Sequence, residues 1–185
     1  MVRNFTADPV DEAVLARLLD TARRAPSAGN TQALDLVVLR GAVETQRYWS
    51  VTLPDPTGFR WPGLLVAPVL VVPVVSPAAY TERYAEDDKR ATGLGAEGAW
   101  PVPYWWVDGG MAVEHVLLAC VAEGLGACFF GQFDHEEAVL RALGVPSGRR
   151  ALGTIALGHP APDEPGRSAG RPRRPADAVL HHGVW

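Results

Sequence analysis

The sequence lacks the charge excess of a nucleic-acid-binding protein and the long apolar run of a membrane protein. Its 185 residues carry a formal net charge of −4, whereas general nucleic-acid binders have a basic excess. The longest apolar run, residues 64–75, is interrupted by Pro68 and Pro73 and is too short to span a bilayer. No apolar signal segment follows Met1. We therefore expect a cytoplasmic protein with neither nucleic-acid nor membrane partners.

The sequence also has few of the residues that build disulfides, metal centres and hydrolase sites. Cys120 and Cys128 are the only cysteines, and each lies among apolar neighbours, as is typical of buried thiols in a reducing compartment. The five histidines have no metal-ligand spacing with cysteines or carboxylates. No serine lies in a G-x-S-x-G elbow. We therefore predict no metal ligand and no hydrolase triad.

Residues 93–98 match the G-x-G-x-x-G pattern of dinucleotide-binding sites. That pattern needs a strand before it and a helix after it. Here a charged segment precedes it, and Trp-Pro-Val-Pro follows at residues 100–103. We interpret the glycines as a flexible loop.

Length and composition fit one globular domain with a core of its own. Hydrophobic residues make up 48% of the chain and charged residues 21%, which is ordinary for such a domain. Prolines and glycines recur every few residues near the C-terminus. We predict a single domain over residues 1–185, of which residues 159–185 form an extended tail.

The apolar periodicity predicts helices and strands in mixed order. Asp8 and Pro9 are predicted to begin a helix that ends near Arg24. Asp108 is predicted to cap the most apolar helix, residues 109–123. Further helices are predicted at 43–49, 77–90 and 135–143, and strands at 34–39, 66–75, 127–130 and 151–157. This order is typical of the α+β class.

The loop at residues 25–32, Ala-Pro-Ser-Ala-Gly-Asn-Thr-Gln, separates the first helix from the first strand. It places Ser27, Asn30, Thr31 and Gln32 close together. A loop that only reversed the chain would not need four hydroxyl and amide side chains. We interpret it as a binding loop for a flat ligand with polar edges.

Two further groups of side chains have more than one interpretation. The tail arginines are either solvated or bind a phosphate, whose oxygens match a guanidinium fork. The aromatic residues of the predicted loops either cover the edge of the core or pack against a planar ligand. These groups are Arg167, Arg171, Arg173 and Arg174, and Trp61, Trp100, Tyr104, Trp105 and Trp106.

Four segments, taken in order, resemble the FMN-dependent nitroreductase family. The most specific of them is the loop at residues 25–32. The others are Arg-Asn-Phe at residues 3–5, the stretch 108–133 with its Gly-Leu-Gly and Phe-Gly-Gln-Phe motifs, and the stretch 155–185 with Arg-Pro-Arg-Arg-Pro and a final Trp.

This resemblance implies an α+β fold, a three-layer sandwich whose mixed or antiparallel sheet is flanked by helices. It also implies an intertwined homodimer with FMN at the subunit interface. The apolar helix 109–123 would form the dimer core, and the tail 159–185 would embrace the partner subunit.

The resemblance also implies eight FMN-binding residues. Arg3 would lie near the N1/O2 edge, where the reduced flavin is anionic and a cation stabilises it. The backbone N–H of Gly131 or Gln132 would face N5. Ser27, Asn30 and Gln32 would contact the ring and its ribityl neighbourhood, and Arg171 and Arg173 would bind the phosphate. No side chain is implied as a catalytic acid or base.

The sequence departs from the family pattern at two places. The family's first Arg and its Ser, which usually bind the phosphate, would precede Met1. Either the start lies upstream of this chain or FMN is held more weakly. Ala33-Leu34 stands where the family usually has Pro-Trp, which changes the pocket wall.

The resemblance therefore predicts an oxidoreductase in which NADH or NADPH reduces FMN, and FMN reduces a small acceptor by ping-pong chemistry. The acceptor would be a nitroaromatic, a quinone or an enone. Two alternatives remain open from the residues. One is other flavin chemistry, such as dehalogenation, flavin fragmentation or heterocycle dehydrogenation. The other is a non-enzymatic binder of flavin or deazaflavin.

Overall fold

The computed structural model describes residues 1–166 and 168–185. Arg167, one of the tail arginines considered for phosphate binding, lies outside the described residues. The helices are α1 (Glu12–Arg23), α2 (Gly41–Thr52), α3 (Pro77–Ala85), α4 (Tyr104–Ala122) and α5 (Glu136–Ala142). The strands are β1 (Leu34–Arg40), β2 (Val69–Val75), β3 (Gly126–Phe130), β4 (Arg150–Ala151) and β5 (Thr154–Gly158).

The strands form one antiparallel sheet in the order β1-β2-β5-β3, with β4 paired to β2. Val37 lies opposite Val72 in the first pair, and Ile155 lies opposite both Val71 and Phe129 in the other two. The outer strands β1 and β3 are thus three strand spacings of about 4.8 Å apart, or roughly 14 Å. The sheet confirms the α+β prediction.

The core lies on both faces of this sheet, because side chains alternate along each strand. Val69 and Val71 of β2 pack with α1 and α4 on one face, together with the buried Leu18 and Val116. Leu70, Val72 and Val74 face the other side, where they pack with Tyr48 and Trp49 of α2 and Val139 of α5. Helices, sheet and helices therefore form the three predicted layers.

The first helix begins later than predicted. Asp11 is its cap, since its Oδ1 accepts a hydrogen bond from the Val14 N–H at 3.0 Å. The carboxylate of Asp8 instead accepts a hydrogen bond from the Thr6 hydroxyl at 2.8 Å. The helix therefore begins after Asp11 and not after Asp8, because Asp11 accepts the capping hydrogen bond.

The long helix α4 begins earlier than predicted, and Asp108 is not its cap. The helix follows Pro103 and includes the aromatic residues 104–106, which were predicted to lie in a loop. Trp105 packs against Tyr80 of α3 with ring centroids 6.0 Å apart. This tertiary packing extends the helix by more than a turn and places the Asp108 side chain inside the protein.

Two strands also differ from the prediction. Pro73 was expected near a strand end but lies within β2, opposite Leu36. It falls between the β2–β5 ladder, which ends at Val71, and the β2–β4 ladder, which begins at Val74, so its missing N–H coincides with a break in pairing. The predicted strand 151–157 is split where Gly153 adopts φ 147°.

The tail leaves the sheet across the N-terminal segment. The Ala161 N–H donates to the Asn4 carbonyl at 2.9 Å, and Phe5 and Pro160 form an isolated bridge. Further on, the tail exposes Leu180 and Trp185. Across the described residues, no helix has both the length and the apolar character needed to cross a membrane.

Candidate functional site

The loop at residues 25–32 has an unusual backbone for its sequence. Asn30 and Gln32 both have φ 53°, and Gly29 has φ 62°. Among the described residues, the only other non-glycine residue with positive φ is Phe133, at 46°. Such residues are strained and concentrate at functional sites. All three lie in or beside segments in which the sequence predicted flavin contacts.

Hydrogen bonds within the loop hold in place the side chains that were predicted to contact the flavin. The Ser27 hydroxyl accepts a bond from the Gln32 N–H at 3.0 Å, and Asn30 Oδ1 accepts one from Gln32 Nε2 at 3.1 Å. The structure therefore brings Ser27, Asn30 and Gln32 together, as predicted.

Contacts from two helices fix the same loop from outside. Asp108 Oδ2 of α4 accepts hydrogen bonds from the Ala28 N–H at 2.8 Å and from the Tyr80 hydroxyl at 2.7 Å. Arg83 of α3 donates to the Gly29 carbonyl at 2.9 Å. Burial and the Asp108 carboxylate raise the pKa of Tyr80 above its ordinary value, so Tyr80 remains a donor.

Arg3 lines a cavity of about 330 Å³ beside the end of β3. Its guanidinium carbon is 5.1 Å from the centroid of the Trp61 ring, and that of Arg60 is 4.8 Å from it. Such distances define cation–π contacts. The Arg3 backbone N–H donates to Asp163 at 2.6 Å. Both guanidinium groups thus contact the indole ring of Trp61, which lines the cavity.

The walls of this cavity are aromatic. The Trp49 and Phe130 rings stack with their centroids 6.0 Å apart, and Tyr48 meets both rings edge-on. Burial raises the pKa of Tyr48 to about 12, although the hydrogen bond that it accepts from the Thr154 hydroxyl lowers it. These aromatic side chains therefore carry no charge near neutral pH.

Two buried polar atoms in the cavity lining have no hydrogen-bond partner among the described residues. They are the Trp49 Nε1 donor and the Gln132 Oε1 acceptor. Gln132 is otherwise well held, because its Nε2 donates to the Thr154 hydroxyl at 3.0 Å. A buried polar atom without a partner is costly. Both atoms belong to side chains that line the cavity.

Gly131 and Gln132 line this cavity directly after β3. A Cβ on Gly131 would lie 3.0 Å from the Phe133 ring, so glycine gives that ring room. Phe133 itself is 86% exposed. The structure therefore brings Arg3, Gly131 and Gln132 together at one cavity, and it adds an exposed aromatic ring above them.

Arg171 and Arg173 are exposed in the tail. Within the described residues, neither of them lines the cavity of Arg3 or the cavity beside Ser27. Their predicted role as phosphate ligands stays a prediction.

The two groups of predicted residues lie apart in one chain. The loop precedes the outer strand β1, whereas Gly131 follows the opposite outer strand β3. At about 4.8 Å per strand spacing, roughly 14 Å of sheet separates them. A single flavin ring therefore cannot place one of its edges within hydrogen-bond distance of both the loop and the Gly131 segment of the same chain.

Several residues of the site were absent from the sequence prediction. Arg60 and Trp49 gave no signal, because neither belongs to a motif and their positions depend on tertiary packing. Trp61 was noted only as a loop aromatic. Asp108 was assigned to a helix cap, the local role that a carboxylate before an apolar helix usually has.

Comparison with known proteins identifies the family to which this chain belongs. The model of the nitroreductase family matches residues 1–159. A protein of Thermus thermophilus named NADH dehydrogenase is 30% identical over 174 residues, which are 86% of this chain and 82% of that relative. The chain belongs to the nitroreductase family.

Solved structures share the fold at lower identity. The NADPH:FMN oxidoreductase of Vibrio harveyi, solved with NAD+, is 20% identical to this chain, with a TM-score of 0.70. The match covers 100% of this chain and 73% of the Vibrio harveyi chain. A nitroreductase family protein of Clostridium difficile is 17% identical, with a TM-score of 0.71. That match covers 100% of this chain and 93% of the Clostridium difficile chain.

Proposed function

We propose that the protein is an FMN-dependent oxidoreductase that takes electrons from NADH or NADPH and acts as a homodimer. Family membership supports the reaction class. The observation that carries the cofactor is the aromatic cavity of Arg3, with its two unpartnered polar atoms at Trp49 and Gln132. No metal takes part in this proposal; the described residues include no cluster of metal ligands.

The residues of the cavity fit a flavin ring. Trp49 and Phe130 offer apolar, aromatic walls for a planar ring system. The Trp49 N–H matches a carbonyl or ring-nitrogen acceptor, and Gln132 Oε1 matches a ring N–H donor. An apolar lining with a few placed polar groups is typical of cofactor sites.

FMN held by these residues would supply two-electron transfer from NADH or NADPH to a small organic acceptor of the nitroaromatic, quinone or enone type. The chain supplies position and electrostatics for this chemistry. The backbone N–H of Gly131 or Gln132 directs a donor at the ring. We assign no side chain as a catalytic acid or base.

Arg3 supplies positive charge at the polar edge of the ring. Charge that is placed in advance where negative charge develops stabilises it without reorganisation. Trp61 orients Arg3 from one side, and Asp163 holds its backbone N–H. Arg60 brings a second cation to the same indole ring.

A homodimer completes the site in this proposal. Ser27, Asn30 and Gln32 of one subunit would reach the ring held by Arg3 and Gln132 of the other, which accounts for their separation in one chain. The outer face of α4 supports this arrangement, since Leu118 and Val121 are 59% and 74% exposed. Exposed apolar patches of this kind mark interaction surfaces.

The tail 159–185 would embrace the partner subunit. Its exposed apolar side chains, Leu180 and Trp185, need a surface to cover them. Arg171 and Arg173 would then bind the FMN phosphate through guanidinium forks. Residues 1–185 would form one domain with this tail as its extension.

The visible spectrum of the purified protein tests the proposal. We expect bound flavin, or flavin bands that shift when FMN is added, and bleaching of those bands by NADH or NADPH without oxygen. Mass measurement in solution should give twice the chain mass. A colourless protein whose spectrum is the simple sum of protein and free FMN would contradict the proposal.

A further inference from the structure

The Asp108 carboxylate is a buried group that the proposed reaction does not use. Its side chain lies inside the protein although residue 108 belongs to the helix α4, and the residue is only 6% exposed. Burying a carboxylate is expensive unless hydrogen bonds compensate it. Its Oδ2 receives two such bonds, one from the Ala28 N–H and one from the Tyr80 hydroxyl.

The Ala28 N–H belongs to the strained part of the binding loop. Gly29, Asn30 and Gln32 follow it, all with positive φ. Left-handed backbone at residues other than glycine persists only where surrounding structure determines it. The internal bonds of the loop join Ser27, Asn30 and Gln32 to one another, but they do not attach the loop to the body of the protein.

Within the part of the chain that the structure describes, three contacts attach residues 28 and 29 of the loop. The first is the bond from Ala28 to Asp108. In the second, Arg83 donates to the Gly29 carbonyl at 2.9 Å. In the third, the Tyr84 ring lies so close to Gly29 that a Cβ there would be 2.7 Å from its Cε2. Both hydrogen bonds involve a charged group, and such bonds are roughly twice as strong as neutral ones. Asp108 is the more buried of the two charged residues.

We propose that Asp108 is a positioning residue for cofactor binding, because it holds the loop in the conformation that presents Ser27, Asn30 and Gln32. Tyr80 supports it by fixing the carboxylate and by tying α3 to α4. The role rests on the proposed FMN function. The alternative is that Asp108 only stabilises the fold.

Asp108→Asn tests the proposal with a side chain of the same shape and no charge. We expect the dissociation constant of FMN, from a fluorescence titration, to rise about 10-fold or more as the charge-assisted bond is lost. Backbone hydrogen exchange in the apoprotein should speed up at residues 28–32 and stay unchanged in the sheet. Tyr80→Phe should change both measurements in the same direction by less.

Asp87→Asn is the matched control, because Asp87 is an exposed carboxylate paired only with Arg90. It should leave both measurements unchanged. Unchanged FMN affinity and loop exchange in Asp108→Asn would overturn the proposal. Faster exchange throughout the sheet, or failure of this variant to fold while Tyr80→Phe behaves as wild type, would assign Asp108 a structural role and also overturn it.

The exchange measurement separates this inference from the proposed function. If the wild-type protein binds no FMN, the FMN proposal fails, yet loop-specific exchange in the apoprotein still decides whether Asp108 holds the loop.

Discussion

The two halves of the candidate site differ in how complete they are without a ligand. The loop at residues 25–32 joins Ser27, Asn30 and Gln32 by internal hydrogen bonds and is held from outside by Asp108 and Arg83. The cavity at Arg3 leaves a donor at Trp49 and an acceptor at Gln132 without partners among the described residues. One half is therefore organised in advance, whereas the other is incomplete, because it keeps two buried polar atoms without a partner among the described residues.

In the proposed homodimer, this difference would allow one site to be built from two subunits. A preorganised loop can approach a ring from a partner chain without losing much conformational entropy on binding. The incomplete half would then supply the specific contacts and the positive charge. Each prediction below alters one half, or the link between the halves, and measures the response of the other.

Separation of the halves should have the largest effect. Leu118→Asp with Val121→Asp places two carboxylates on the exposed apolar face of α4. We expect a monomer whose FMN affinity falls roughly 100-fold or more, because several contacts of about 1–3 kcal/mol each would be lost together. Sedimentation and flavin titration measure the two results.

Val43→Asp is the control for that double variant. Val43 is also apolar and 79% exposed, but it lies on α2. It should leave mass and FMN affinity unchanged. A double variant that remains dimeric, or a monomer that binds FMN as wild type does, would show that the halves are not joined through α4.

The cation of the incomplete half comes next. Arg3→Ala should weaken FMN binding about 10–100-fold, since a charge-assisted hydrogen bond contributes about 1.5–3 kcal/mol. It should also shift the flavin potential to more negative values, because the anionic reduced form loses its cation. Arg47→Ala, an exposed arginine on α2, is the control. A normal potential in Arg3→Ala would remove Arg3 from the site.

The sequence predicted the α+β class and the loop half of the site, but not all of the cavity half. The loop could be predicted because Ser27, Asn30 and Gln32 lie within six residues of one another. Trp49 and Arg60 were not, because Trp49 reaches the cavity and Arg60 reaches the Trp61 ring only through tertiary packing. The boundary of α4 was wrong because aromatic packing against Tyr80 outweighed the local preference of Asp108 for a cap.

The rigidity of the organised half can be tested at Gly29. Gly29→Ala introduces strain at φ 62° and a Cβ 2.7 Å from the Tyr84 ring. We expect a loss of about 2–4 kcal/mol in the free energy of unfolding, from left-handed strain plus overpacking. Gly58→Ala at φ 75°, where a Cβ meets nothing within 4 Å, should cost only about 1–2 kcal/mol. Equal losses in urea unfolding would mean that Tyr84 does not confine the loop.

The tail can be tested by comparing two ligands. Arg171→Ala with Arg173→Ala should weaken FMN binding about 10-fold, a modest effect because both side chains are exposed and screened by salt. Riboflavin lacks the phosphate, so its affinity should not change. Equal effects on FMN and riboflavin would mean that these arginines do not read the phosphate.

The smallest effect concerns the anchor of the incomplete half, at Glu136. Its carboxylate accepts bonds from Arg150 at 2.8 Å and from the Ala151 N–H at 2.9 Å, which ties the segment after Phe133 to β4. Arg150 holds the pKa of Glu136 below its ordinary value, despite some opposing desolvation. A carboxyl whose pKa is lower in the folded than in the unfolded state stabilises the fold above its unfolded pKa. That stabilisation is lost as the pH falls through the folded pKa.

Glu136→Gln should therefore lower the free energy of unfolding by about 1 kcal/mol or less at pH 7, since Arg150 is half exposed. The difference from wild type should shrink as the pH is lowered from 5 to 3. Glu137→Gln, which removes only an exposed pair with Arg141, should show a smaller difference. A difference that persists at pH 3 would mean that Glu136 holds this segment by shape and not by charge. The cavity half would then differ from the loop half, whose proposed anchor is the carboxylate of Asp108.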